Sequence, residues 1–169
     1  MNSSTTWRVK LSQRAPELLQ DLGLLGLRLF AGQEFLLAGW TKLAGGLQAP
    51  EWFAGLVFPF PHGLLGPQLN WLLAGAGELL LGAALIAGLC SRLAALGLLY
   101  VTWVAVYSVH FDLGWAGWNQ IETGQGLGFK VPLMLGLMLL AVLTQGGGQY
   151  ALDAWRQRAR AHAPKPLPA

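Results

Sequence analysis

The sequence predicts an all-α integral membrane protein, a four-transmembrane-helix antiparallel bundle with both termini cytoplasmic. Three observations carry this reading. The 169 residues are 54% hydrophobic and 11% charged, against roughly 25% charged for a soluble domain, so there is too little charge to cover a water-facing surface. Four apolar runs approach the roughly 20 residues a helix needs to cross the hydrocarbon core. Eight of the eleven lysines and arginines lie in segments that four successive spans would leave on one side. The net charge is only +3 and the basic residues sit mainly at the chain ends, which fits membrane orientation and argues against a nucleic-acid partner. Membrane lipid is the expected surrounding, in a multi-pass protein of the inner (cell) membrane.

The first twenty-one residues, MNSSTTWRVKLSQRAPELLQD, are polar. A secretory signal would begin its apolar region earlier, so residues 1–21 read as a cytoplasmic N-terminal segment. The first span runs over 22–45. The connection after it holds prolines at 50, 59, 61 and 67 and the rings of Trp52, Phe53, Phe58 and Phe60. Proline prevents a full span there, and the aromatics suit a membrane interface. A short interfacial helix over about Glu51–Val57 is expected, then an irregular cap.

The second span covers 68–90 and the third 93–111. Only Ser91–Arg92 joins them, which makes a tight antiparallel hairpin. The fourth covers 127–145. Residues 146–169 form a basic, proline-rich cytoplasmic tail whose end, ARAHAPKPLPA, is expected to fray. The membrane domain is therefore 22–145. Arg8, Lys10, Arg14, Arg92, Arg156, Arg158, Arg160 and Lys165 fall on the cytoplasmic side, while Lys42 and Lys130 approach the outer one. The single cysteine, Cys90, excludes an internal disulfide and reads as a small apolar residue at the end of its span.

Ionisable groups inside spans cost about 2.5–3.5 kcal/mol each on insertion scales and usually face the bundle interior. Three qualify as a buried charge network: Arg28, Glu34 and Glu78. At about 100° per residue, Arg28, Gly32, Gly39 and Lys42 share one face of the first span, and Glu34 lies about 120° from Arg28. On the second span Trp71, Gly75, Glu78, Gly82 and Leu85 share a face. Small residues on both faces permit close approach. Counted from the span edges, Arg28 lies about 9 Å deep and Glu78 about 16–18 Å, so an Arg28–Glu78 pair is expected. Such a pair either fixes which helices meet or serves as a proton or quinol site. Glu34 has no partner on its face and is either protonated or turned into a groove.

On the third span Tyr100, Trp103, Tyr107 and His110 form a stripe. It is either core and interfacial belt or the wall of a pocket for a flat ring. The following loop, HFDLGWAGWNQIETGQGLGFK, clusters further polar and aromatic groups. Trp115 and Trp118, three apart, share one face of a single helical turn. The candidate outward pocket comprises Lys42, Tyr100, Trp103, Tyr107, His110, Asp112, Trp115, Trp118, Asn119, Glu122 and Lys130. In it, His110, Asp112, Asn119 and Glu122 line the mouth beneath the tryptophans. No metal site is expected. His62, His110, Asp112 and Glu122 mix ligand types at no recognised spacing.

Several landmarks occur in order: LRLFAGQEFLLAGWTKL, then GAGELLLGAALIAGL, then CSRLAALGLL, then TQGGGQYALDAW. Together they resemble the DoxX/DoxD family of small four-helix membrane proteins, over about Gly23 to Trp155. The ending GGGQYALD is similar to the family's G-x-G-x-Y-S-L-D, with Ala151 in place of serine. The matching positions are Arg28, Gly39, Lys42, Glu78 and Arg92. The resemblance implies a membrane subunit or accessory of a redox system, since DoxD-type members belong to a thiosulfate:quinone oxidoreductase and others accompany redox or metallopeptide-maturation systems. It implies a quinone, no covalent cofactor, and a protein partner in a membrane complex. It supplies no catalytic residue. A non-enzymatic assembly or scaffold protein and a small transporter are the other readings.

Overall fold

A computed structural model describes residues Ser3–Ala161, with side chains described at Leu19 and from Asp21 onward. The chain is built from α1 (Ser3–Ala44), α2 (Glu51–Ala54), α3 (Pro67–Ala87), α4 (Ser91–Val109), α5 (Lys130–Gln145) and α6 (Leu152–Ala161). Helix α1 packs on α3, α3 on α4, α4 on α5, and α5 returns to α1. Three helical segments are long and apolar enough to cross a membrane: Asp21–Ala44, Pro67–Ala87 and Ser91–Val109. The fourth, α5, is apolar but shorter, at 16 residues. Large apolar side chains such as Leu29, Phe30, Leu37, Leu80 and Leu96 face outward, as expected where lipid rather than water is the solvent.

Helix boundaries differ from the hydropathy edges for local reasons. Backbone helix extends α1 to Ser3, well before the apolar run. Proline at the first position and glycine before it start α3 cleanly. Gly88, in the left-handed region at φ +70°, ends α3 at Ala87, because glycine adopts that conformation at no steric cost. The fourth helix starts at Lys130 rather than 127. The preceding glycines are used instead by a two-stranded hairpin, β1 (Glu122–Thr123) against β2 (Gly126–Leu127), a small addition to the all-α expectation. The helix in the first long loop stops at Ala54, short of Val57. In the C-terminal segment Leu152–Ala161 is helical, reaching the first three residues of the stretch expected to fray; residues 162–169, including Lys165, lie outside the described residues.

The core joins Ala31 and Phe35 of α1, Leu85 of α3, Ala94, Ala95 and Leu98 of α4, and Leu139 and Val142 of α5. Between α1 and α3 the contact is backbone to backbone. A Cβ on Gly39 would stand 2.5 Å from Leu79 N and 2.6 Å from Gly75 O; one on Gly82 would stand 2.8 Å from Leu36 N and 2.9 Å from Gly32 O. These are interlocked small-residue faces of the kind that associate helices in lipid. The buried face of α3, Trp71, Gly75, Glu78, Gly82 and Leu85 together with Asn70, contains the whole face read from the sequence.

Gly82→Val should therefore push α1 off α3, because the obstructing atoms are backbone. Overpacking costs about 1–3 kcal/mol, which should lower the thermal midpoint in detergent by several degrees. Gly23→Val, where a Cβ meets nothing within 4 Å, should leave it nearly unchanged. Equal effects of the two would refute the interlock.

Candidate functional site

The two ends of the helical ring are built differently. At the end carrying the α3–α4 turn, Arg28 is 1% exposed. Its guanidinium donates from Nε to Leu85 O at 3.0 Å, from Nη2 to Ile86 O at 2.9 Å and from Nη1 to Gly147 O at 2.6 Å. Leu85 and Ile86 are among the last α3 carbonyls, at the negative end of the helix dipole, and Leu85 O also accepts from Gly88 N at 3.1 Å. Arg28 thus caps α3 from a different helix. Asp153 does the reverse for α4. Its carboxylate accepts from Cys90 N and Ser91 N, both at 2.8 Å, and from Ser91 Oγ at 3.0 Å. Burial pushes the Asp153 carboxyl up, but these bonds and the charge of Arg156 outweigh it and leave the pKa below its ordinary value. Asp21 Oδ1 accepts from Gln149 N at 3.1 Å, tying the same return segment to α1.

The expected Arg28–Glu78 pair does not form. Glu78 instead accepts from Lys42 Nζ at 2.7 Å, and this is the ion pair found among the described residues. The reason is register. Gly39 abuts Glu78 Cβ and Gly75 O, so Glu78 is level with Gly39. Arg28 lies about 16 Å away along α1 and Lys42 only about 4.5 Å. Lys42 does not reach out to the interface; it turns into the bundle.

The pair borders a cavity of about 650 Å³, within the range of small-molecule sites. Its wall is mainly apolar, from Phe35, Leu73, Leu81, Val101 and Leu135 among others, and draws on α1, α3, α4 and α5. Trp52, Phe53 and Phe58 of the first long loop line it as well. Their rings interlock with each other and with Trp71: Phe53–Trp71 centroids are 4.9 Å apart and Phe53–Phe58 5.1 Å. Two α3 side chains hold this roof. Gln68 donates to Leu47 O and accepts from Ala49 N. Asn70 Nδ2 donates to His62 O at 3.0 Å, and its Oδ1 meets His62 Nδ1 at 2.7 Å. Since that Oδ1 can only accept, Nδ1 is the donor, which in an uncharged imidazole leaves Nε2 as the acceptor. Ser108 Oγ, which also lines the cavity, is buried and unpartnered among the described residues, as is Trp71 Nε1.

Of the residues singled out in the sequence, Glu34, Lys42, Glu78, Tyr100 and His110 line this cavity. Glu34 stands exposed at its rim without an ion-pair or hydrogen-bond partner among the described residues. His110 is half-buried. Burial pushes its pKa down, and Asp112 together with a hydrogen bond to the Gly128 backbone offsets this only in part.

The other members of the expected outward pocket are elsewhere. Trp103 and Tyr107 continue a ring ladder from Tyr100, with centroids 5.7 and 6.5 Å apart, on the exposed side of α4. Asp112 does not open into the cavity; its Oδ2 accepts from Leu127 N and fastens the hairpin. Trp115 packs edge-on against Phe111 and Phe129. Trp118, Asn119 and Glu122 are exposed, and Lys130 opens α5. The long second loop is thus a self-bonded cap, and only His110 joins the site. Among the described residues no three His, Cys, Asp or Glu are grouped to hold a metal ion. Sequence reasoning missed Trp52, Phe53, Phe58, His62, Asn70 and Ser108 as one constellation. The proline-broken aromatic loop was the available signal, but it says nothing about which way the rings turn.

A ring of apolar helices with lipid-facing outer surfaces and an internal apolar cavity defines a small integral membrane protein. The sequence matches the DoxX family over residues 23–111, which include Arg28, Lys42 and Glu78, and the chain belongs to that family. A Haemophilus influenzae relative described as an uncharacterized protein is 37% identical over 134 residues, covering 78% of this chain and 82% of its own. No solved structure matches.

The Asp153 lock predicts a pH signature. A carboxyl held below its ordinary pKa contributes stability in full above about pH 4 and loses it as the pH falls through the folded value. Asp153→Asn should therefore unfold at lower temperature than wild type between pH 5 and 8, by an amount worth about 2 kcal/mol. The gap should close in acid below about pH 4. A gap that persists unchanged at the acid end would show that the charge is not what binds the turn.

Proposed function

We propose that this protein is a quinone-linked membrane subunit of a redox system, with the ring of a quinone held in the cavity bordered by Lys42 and Glu78. The observation that carries the reading is an apolar, aromatic-roofed cavity of about 650 Å³ with an ion pair in its wall. Its donor set suits a ring with oxygens on opposite sides: Lys42 Nζ donates to a carbonyl oxygen, His62 Nε2 accepts from a hydroxyl, and Ser108 Oγ does either. A bound quinone supplies two-electron chemistry, with electrons from a partner redox protein and two protons taken up on reduction. In this chain Glu78 and Lys42 hold and move a proton, Glu34 relays it at the rim, and the Trp52–Phe53–Trp71 roof excludes water. The exposed Tyr100–Trp103–Tyr107 ladder is the face offered to the partner.

The bundle is proposed to lie in the inner membrane as four spans. Helix α5 is about 24 Å long at 1.5 Å per residue, short of the roughly 30 Å core, and local thinning of the bilayer accommodates the difference. Charge counts support cytoplasmic termini. Fusions should give fluorescent green fluorescent protein at the C-terminus and active alkaline phosphatase after Asn119; the inverse pattern would overturn this orientation.

Protein purified from quinone-containing membranes in mild detergent should carry quinone on extraction, approaching one per chain. Glu78→Gln and Lys42→Met should each lower that occupancy at least about tenfold, as loss of a charged hydrogen-bond partner implies, with folded protein still recovered. Quinone-free wild type that takes none up from added ubiquinone would sink the proposal.

A further inference from the structure

Resting on the quinone reading of the cavity, we propose that the cavity opens sideways into lipid between α1 and α5, and that this seam holds the long isoprenoid chain of the ligand. Apart from Trp52 in the roof, the cavity-lining residues that are also exposed fall at two gaps in the helical ring. One gap lies between α3 and α4, at Leu73 and Tyr100. The first long loop stoppers it. The His62 ring stands 5.6 Å from the Tyr100 ring, and Asn70 holds His62 by both its ring and its backbone carbonyl. The other gap lies between α1 and α5, at Glu34 and Val131. The ring contacts and side-chain bonds described for the first long loop go to α3 and α4, so the loop's weight is on the far side of the cavity from this seam.

Spacing puts Glu34 at the seam. At about 100° per residue it stands about 140° round α1 from Gly39 and about 160° from Gly32, the glycines that lock α1 to α3. It shares the cavity with Val131, Pro132 and Leu135, so it lies on the α5 flank. Toward the α3–α4 turn the seam is closed, because Ala31 and Phe35 pack with Leu139 and Val142 in the core. Beyond Phe35, α1 offers only the methyl of Ala38 to the space beside α5. Polarity divides the cavity in the same direction. Lys42, Glu78, His62 and Asn70 belong to α1, α3 and the first loop, and Ser108 opens from α4; the α5 wall is Val131, Pro132 and Leu135, all apolar. A ring with oxygens fits the first set. A hydrocarbon chain fits the α5 wall, where its burial is favourable and it can pass into lipid without crossing the roof. When the roof moves to admit the ring, the chain slides along the seam.

The test photolyses the full chain, in mild detergent, with a ubiquinone analogue whose chain carries a diazirine, and counts only label that excess ubiquinone displaces. Trypsin separates the helices: α1 beyond Arg28 falls in residues 29–42, the first loop with α3 in 43–92, α4 in 93–130 and α5 in 131–156. Most of the label should be in 29–42 and 131–156. Label mostly in 43–92 or 93–130 would overturn the proposal and put the chain under the first loop. Ala38→Phe, which fills the seam, should lower retention of long-chain ubiquinone at least about tenfold, since several buried methylenes are at stake. It should change binding of the chainless ring, 2,3-dimethoxy-5-methyl-1,4-benzoquinone, very little. Met134→Trp, which adds bulk on the exposed face of α5, should change neither. Equal loss of ring and long-chain compound in Ala38→Phe would also refute the division of the cavity. If that variant does not fold, the wild-type labelling pattern decides. Chainless ring bound but chain labelled elsewhere sinks the seam and leaves the quinone reading standing; uptake of neither compound by quinone-free wild type sinks both.

Discussion

A full positive charge is buried at one end of this bundle without a carboxylate in contact among the described residues, and much of the architecture follows from how it is satisfied. Arg28 gives three of its donors to backbone carbonyls, two at the end of α3 and one in the return from α5. A buried guanidinium is tolerable only when its hydrogens are matched, so α1, α3 and the Gly147 strand of chain must meet at this point. The carboxylate that acts on it electrostatically is Asp153, which caps α4 across the same turn. One cation and one anion from outside the hairpin thereby seal both helix ends that the Gly88–Cys90 turn exposes.

Arg28 also decides by elimination what Glu78 does. Long helical side chains lean toward the N-terminus of their own helix. On α1 that direction leads Arg28 to the turn and brings Lys42 down from above. On antiparallel α3 it sends Glu78 the other way, toward Lys42. The two cations on one face of α1 are thus divided: one is used up on backbone carbonyls, and the other is carried into the cavity wall. Interlocked glycines set the register that makes this division work. Gly39, whose Cβ would meet Glu78 Cβ at 3.0 Å, leaves no side chain between α1 and the Glu78 stem.

How much of this the sequence discloses depends on whether one helix or two must be read. The faces of α1 and α3 were legible from 3.6-residue periodicity, and so were the three long apolar helices and the glycine contact. The Arg28–Glu78 pairing failed because depth was counted from hydropathy edges, which mark where apolar residues stop and not where helices align. Lean direction together with glycine register would have favoured Lys42. The cavity roof was not legible. Trp52, Phe53, Phe58 and His62 lie on a proline-broken segment without periodicity, and their direction is set by Asn70 and Gln68, two polar residues in the first turn of α3 that look like ordinary capping chemistry. The second loop misled for the opposite reason. Its polar residues are rich in apparent chemistry, yet Asp112 fastens a hairpin through Leu127 N and acts on His110 beside it instead of opening into the cavity.

The two ends therefore differ in what would have to give way for a ligand to enter. The turn end is fixed by charge-assisted bonds to backbone, which are strong and specific in direction. The roof end is held by edge-to-face rings and a few side-chain bonds to loop carbonyls, with Trp71 Nε1 unpartnered among the described residues. Ring contacts are each worth only about 0.5–1.5 kcal/mol beyond their burial, and they re-form in other pairings. Local opening draws on the least stable contacts. Movement that admits a ring to the Lys42–Glu78 pair should thus begin at the Trp52–Phe58 segment, while Arg28 and Asp153 keep the helices in the register on which that pair depends.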